Sequence, residues 1–152
     1  MRPLEVKVSS KMAITPEQLF HEILQMENWE SFQGYGPIPR IRIASFNPLT
    51  EQIVGSKIKV ENLDGSTHVE TIVVWDSYNF IQMELQEFSK PLSYLATHFI
   101  ERWKLSGNSV TRSMELHSKS LLARPVLWII SFFMMQALKK HTVAICCANK
   151  PG

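Results

Sequence analysis

The sequence predicts an α+β domain in which a curved antiparallel sheet of about seven strands wraps around one long C-terminal helix, with two short helices after the first strand. Three observations predict it. The segment Leu121–Ala148, LLARPVLWIISFFMMQALKKHTVAICCA, carries an apolar run from Pro125 to Met135 that only Ser131 interrupts. Pro125 suits a first helical turn, where its missing N–H costs nothing. Upstream, apolar residues recur at every second position in one short segment after another, and the main interruption is the helix start Thr15-Pro16-Glu17-Gln18.

In chain order, Leu4, Val6 and Val8 alternate with Glu5, Lys7 and Ser9, which gives a first strand over Pro3–Ser10. Thr15 is an N-cap, Pro16 occupies the first helical position and Gln18 the capping-box position. Leu19, Phe20, Ile23, Leu24 and Met26 carry that helix to about Asn28, and a second helical turn over Trp29–Phe32 is broken by Gly34-Tyr35-Gly36-Pro37. Ile41, Ile43 and Phe46 mark the next strand, which Asn47-Pro48 ends. Gly55–Leu63 and Ser66–Trp75 flank an Asp64-Gly65 hairpin turn, and Tyr78–Phe88 follows the turn at Asp76-Ser77. Leu95–Leu105 and Ser109–Lys119 close a last hairpin around Gly107-Asn108. With those two as the loop residues, Trp103 faces Arg112, Glu101 faces Met114 and Phe99 faces Leu116, all on one face. Glu101 and Arg112 are then diagonal neighbours on the concave side.

Composition narrows the function classes. The 152 residues, 45% hydrophobic with a net charge of +2, fit one domain over 1–152. The 16 basic and 14 acidic residues form no basic stripe interleaved with aromatics, so nucleic acid is not expected as a partner. Glu5 and Lys7 interrupt what a signal peptide would need as its apolar core, and the Pro125–Leu138 run falls short of the roughly 20 apolar residues of a spanning helix. Cys146 and Cys147 are adjacent and late, a spacing that builds neither a disulfide framework nor a zinc site. These features point to the reducing cytoplasm, with no metal and no cofactor.

The motifs Leu4-Glu5-Val6-Lys7-Val8, Thr15-Pro16-Glu17-Gln18-Leu19-Phe20, Trp29, Gly36-Pro37, Val54-Gly55 and the hairpin Glu101-Arg102-Trp103-Lys104-Leu105 with Gly107-Asn108-Ser109-Val110-Thr111 carry a resemblance over almost the whole chain. The sequence resembles the START-like (SRPBCC) superfamily of helix-grip proteins, which includes polyketide cyclase/dehydrase-like proteins, plant pathogenesis-related allergens and lipid-transfer domains. The resemblance implies a cavity between sheet and long helix, open near the short helices, that holds a hydrophobic or amphipathic ligand. It implies no particular chemistry, because the superfamily shares no catalytic signature.

The last helix departs from a simple one-sided pattern. Leu127, Ser131, Met134 and Leu138 follow one face, Trp128, Phe132 and Met135 another. A helix on one sheet needs a single stripe. The surplus must meet the N-terminal helix, a second subunit in a homodimer, a membrane surface or the ligand.

Candidates for chemistry follow from these placements. Glu101 and Arg112 either orient a polar head or transfer a proton, or else form a structural ion pair with Trp103 stacked on the guanidinium. Of five histidines, at 21, 68, 98, 117 and 141, none has a metal-site spacing. His98 and His117 point outward by strand parity. His141 shares the helical stripe of Met134, Leu138 and Ile145 and faces the sheet, as an acid/base or as a satisfied core residue. Trp29, Phe32 and Tyr35 stand at the cavity mouth that the resemblance implies, or cap the core. Met83, Leu85, Phe99, Trp103, Met114, Met134 and Leu138 line the interior, and methionines suit apolar ligands of adaptable shape. No nucleophile elbow or phosphate loop is present. Three functions stay open: binding or transport of a hydrophobic small molecule, a polyketide cyclase or dehydratase working by acid/base groups, and an interaction or membrane-peripheral module.

Overall fold

Alternating strands joined by tight turns pair with their sequence neighbours, and the first strand closes on the last. The structure, a computed structural model, describes residues 1–147. Its strands are β1 (Leu4–Lys11), β2 (Ile41–Phe46), β3 (Lys57–Asn62), β4 (Thr67–Asp76), β5 (Phe80–Gln86), β6 (Ala96–Ser106) and β7 (Ser109–Ser118). They form one antiparallel sheet in the order β1-β7-β6-β5-β4-β3-β2. Helices α1 (Pro16–Ile23) and α2 (Met26–Trp29) follow β1, and α3 (Arg124–Cys146) ends the described chain. The expected end of the last helix at Ala148 lies outside the described residues.

The register lays the inner face out in three cross-strand rows. Ile58, Glu70, Leu85, Phe99, Leu116 and Leu4 form the first; Ile72, Met83, Glu101, Met114 and Val6 the second; Trp75, Ile81, Trp103, Arg112 and Val8 the third. Most of these residues are buried. The pairings expected for the last hairpin, Trp103 with Arg112, Glu101 with Met114 and Phe99 with Leu116, are those observed. Gly107 makes the turn at a φ of 60°, open to glycine without strain.

The first helix departs from expectation. The apolar spacing predicts one helix to about Asn28, but α1 stops at Ile23 and α2 is separate. The cause is at the C-terminal end of α1, where the last carbonyls lack helical partners. The Trp29 indole N–H donates to the Ile23 carbonyl at 2.8 Å, and Asn28 Nδ2 donates to the Glu22 carbonyl at 2.9 Å. Side chains of α2 thus cap α1 and fold the chain back. At the other end the predicted capping box is complete: Gln18 N–H donates to Thr15 Oγ1 at 3.1 Å, and Thr15 N–H donates to Gln18 Oε1 at 2.8 Å.

Helix α3 lies chiefly over β1 and β7. Leu127, Ser131, Leu138, His141, Thr142 and Ile145 are its buried stripe. Ile130 and Met134 turn toward an internal cavity, and of the surplus apolar residues Phe133 packs on Gly36, where a Cβ would come within 2.7 Å of its ring. Val126, Trp128, Ile129 and Phe132 remain exposed, Trp128 by 66%, so the N-terminal helices do not cover them. No described helix is long and apolar enough to cross a membrane.

Candidate ligand-binding site

Helix α3 packs chiefly on β1 and β7, and between it and the inner face of β4, β5 and β6 lies a cavity of about 330 Å³. That volume falls in the usual range for small-molecule sites, about 300–1,000 Å³. Met83, Leu85, Phe99 and Met114 supply the sheet wall; Ile130, Met134, Leu138 and Ile145 the helix wall; Ile23, Trp29 and Phe32 the end formed by α1 and α2. The exposed lining residues Pro37, Asp64, Thr67, Lys90 and Pro91 mark the mouth, between the segment after α2, the β3–β4 turn and the β5–β6 loop.

Inside the mouth, two clusters of buried or part-buried ionisable side chains interrupt the apolar lining. The deeper one is built on Arg112, which is only 5% exposed. Its Nη2 donates to both oxygens of Glu101 at 3.3 Å, and its Nη1 donates to His141 Nδ1 at 2.8 Å and Thr142 Oγ1 at 3.4 Å. The guanidinium lies 4.2 Å from the centre of the Trp103 ring, whose own N–H donates to Glu101 Oε1 at 2.8 Å. Arginine has no acceptor to offer, so Nδ1 of His141 must be the unprotonated nitrogen. The proton is then on Nε2, which donates to the Asn28 carbonyl at 3.0 Å. Burial, and then the Arg112 charge, push the His141 pKa down to about 3. Both ring nitrogens are engaged, and the imidazole is held neutral. Among the described residues, the buried Arg112 Nε has no hydrogen-bond partner.

The second group is His68 and Glu70 on β4, with His68 Nε2 2.9 Å from Glu70 Oε2. Glu70 is 4% exposed and stands between Ile58 and Leu85 in its cross-strand row. Burial raises its pKa above the ordinary carboxyl value, against the pull of His68. It therefore keeps its proton to higher pH than a surface glutamate. Glu70 is one row nearer the β3–β4 turn, and thus the mouth, than Glu101.

No family model matches the chain, and no curated protein matches it. Solved structures do. Ginseng major latex-like protein 151 from Panax ginseng covers 93% of this chain and 98% of its own, at 15% identity and a TM-score of 0.62. Ara h 8.0201 covers 93% and 98%, at 14% identity and a TM-score of 0.60. The di-domain ARO/CYC BexL from the BE-7585A biosynthetic pathway covers 97% of this chain and 51% of its own, at 13% identity and a TM-score of 0.62. The fold is the helix-grip fold that these proteins share. At these identities the likeness is one of fold.

Within this helix-grip frame the structure brings together Glu101, Arg112 and His141, and sets Trp29, Phe32, Met83, Leu85, Phe99, Trp103, Met114, Met134 and Leu138 along the same cavity. Tyr35 stands apart. It is 43% exposed, outside the lining, with its ring 6.2 Å from that of Phe133 on α3. His98 and His117 stack on each other at 4.2 Å on the convex face. His68 and Glu70 are the residues that the sequence reading missed. Their signal was the alternation His68-Glu70-Ile72 across the hairpin from Ile58 and Val60, which places two polar side chains on the inner face. Cys146 is buried and its thiol pushed up to about 11, so it is an inert packing group.

Proposed function

We propose that this helix-grip protein binds or carries a hydrophobic or amphipathic small molecule, lipid- or polyketide-like, in the cavity between sheet and α3. One observation carries the reading: an open cavity of about 330 Å³ whose walls are mostly methionine, leucine, isoleucine and aromatic side chains. A closed hydrophobic core would fill such space, because voids forfeit packing energy. The deep polar cluster supports binding over reaction, since Arg112, Glu101 and His141 spend their hydrogen bonds on one another and on Trp103, Thr142 and Asn28.

A fluorescence titration with the neutral apolar dye N-phenyl-1-naphthylamine tests this. Wild-type protein is expected to give saturable, one-to-one enhancement, and Met134→Trp, which pushes an indole into the cavity, to weaken it at least tenfold. Non-saturable enhancement, or equal binding by the filled variant, would overturn the reading.

A second reading, a cyclase or dehydratase acting on polyketide-like substrates, is favoured by one observation: Glu70 is a cavity carboxyl that holds its proton unusually well. BexL, named for such a role, has the same fold over half its length. Recovery of every added polyketide-like ligand chemically unchanged would remove it.

A further inference from the structure

Among the described residues, the interior of the cavity holds no uncommitted lysine or guanidinium end. Arg112 is the one lining guanidinium among the described residues, and its Nη atoms are committed to Glu101, His141 and Thr142. Its Nε is sealed from solvent. Lys90, the one lysine in the described lining, is exposed at the mouth and lies 5.6 Å from the centre of the Tyr94 ring. Against this the lining holds two buried carboxyl groups, Glu70 and Glu101. Of these, Glu101 is saturated by Arg112 and the Trp103 N–H, whereas Glu70 makes one hydrogen bond among the described residues, to His68.

Resting on the cavity reading above, we propose that the site takes ligands whose polar end donates a hydrogen bond, an alcohol or an amine, and rejects carboxylates, with Glu70 as the group that reads that end. The geometry supplies the reason. A ligand whose apolar body lies along Met83, Met114, Met134 and Leu138 meets, among the described residues, one buried acidic group with a single partner, one row in from the mouth: the Glu70 carboxyl. A hydroxyl donates to its oxygens. An ammonium pairs with it as a carboxylate, the Glu70 proton leaving to solvent. A ligand carboxylate finds there a like group rather than a partner, and to reach Arg112 it must displace Glu101, leaving that side chain buried and uncompensated. Burial already holds the Glu70 proton against ionisation, against the pull of His68.

The test is competition against bound N-phenyl-1-naphthylamine at neutral pH with three ligands of equal chain length: decanol, decylamine and decanoate. The expected order has decanol and decylamine at least tenfold tighter than decanoate. In Glu70→Gln, a near-isosteric change, decylamine loses at least tenfold while decanol changes less than threefold. Decanoate binding as tightly as decanol overturns the selectivity and leaves the cavity reading standing. An unchanged decylamine affinity in Glu70→Gln removes Glu70 from the role. The ranking in wild-type protein stands whether or not the variant folds. If the dye itself fails to bind, the cavity reading falls and this inference with it.

Discussion

Arg112 and Glu70 lie within one cavity wall, and their surroundings differ in kind. Around Arg112 both Nη atoms are engaged, by Glu101 and by His141 and Thr142 from α3, and the Trp103 ring lies beneath, although the Arg112 Nε has no partner among the described residues. Around Glu70 there is one histidine and a row of aliphatic side chains. The first arrangement ties the sheet to the C-terminal helix, and through the Asn28 carbonyl to α2. The second leaves a polar group under-satisfied beside open space. A fold that ties one buried network to several elements and leaves the other with a single partner separates the work of holding its shape from that of meeting a ligand.

The sharpest way to break that contrast is to remove the hub. Arg112→Met strips Glu101 of its cation inside the protein, and a loss of about 3–5 kcal/mol is expected in urea denaturation, the usual cost of orphaning a buried charge. A loss below 1 kcal/mol would mean that the deep network is not structural.

Next in size is the pH dependence of His141. The unfolded imidazole takes up a proton near its ordinary pKa of 6.5, the folded one only near about 3, so the unfolded state binds more protons in between. This contribution to stability is complete above pH 6.5, falls as the pH is lowered, and is gone near pH 3. By pH 5 the loss is about 2 kcal/mol. His141→Gln is expected to flatten the acid limb of a stability-against-pH curve by up to one proton. An acid limb of unchanged slope would contradict the network as described.

The two glutamates then separate by sign. Glu101→Gln loses charge-assisted hydrogen bonds with Arg112 and Trp103 and should cost about 1.5–3 kcal/mol at neutral pH. Glu70→Gln should stabilise the protein as pH rises, because the folded carboxyl holds its proton more tightly than the unfolded one and its ionisation works against the fold. Paired denaturation curves at pH 5 and pH 8 read both, and a matching sign would erase the contrast. As the smallest effect, remote from the cavity, Thr15→Ala should cost about 1 kcal/mol by removing the α1 cap, with no change in dye affinity.

How much of this was legible in the sequence depends on the range of the cause. The Glu101–Arg112–Trp103 arrangement was readable because a two-residue turn at Gly107-Asn108 fixes register, and register fixes which side chains share a face. His141 was readable from helical spacing alone. The break between α1 and α2 was not, since it follows from Trp29 and Asn28 reaching back to the Ile23 and Glu22 carbonyls, a local choice that periodicity does not encode. Glu70 escaped for a different reason. Hydrophobic alternation assigns polar residues to the solvent side, and the inner face of β4 breaks that rule where it borders the cavity. Tyr35 shows the converse: an aromatic in the right segment, turned outward against Phe133 by the turn at Gly34 and Gly36.

The central claim is that the space between the sheet and α3 is a binding site for an apolar molecule. Native mass spectrometry of the purified protein, followed by organic extraction and identification of what is released, tests it most directly. The account predicts a stoichiometric adduct that yields an apolar compound with a hydroxyl or amine end. Protein of bare chain mass that also takes up no apolar ligand when challenged would contradict it.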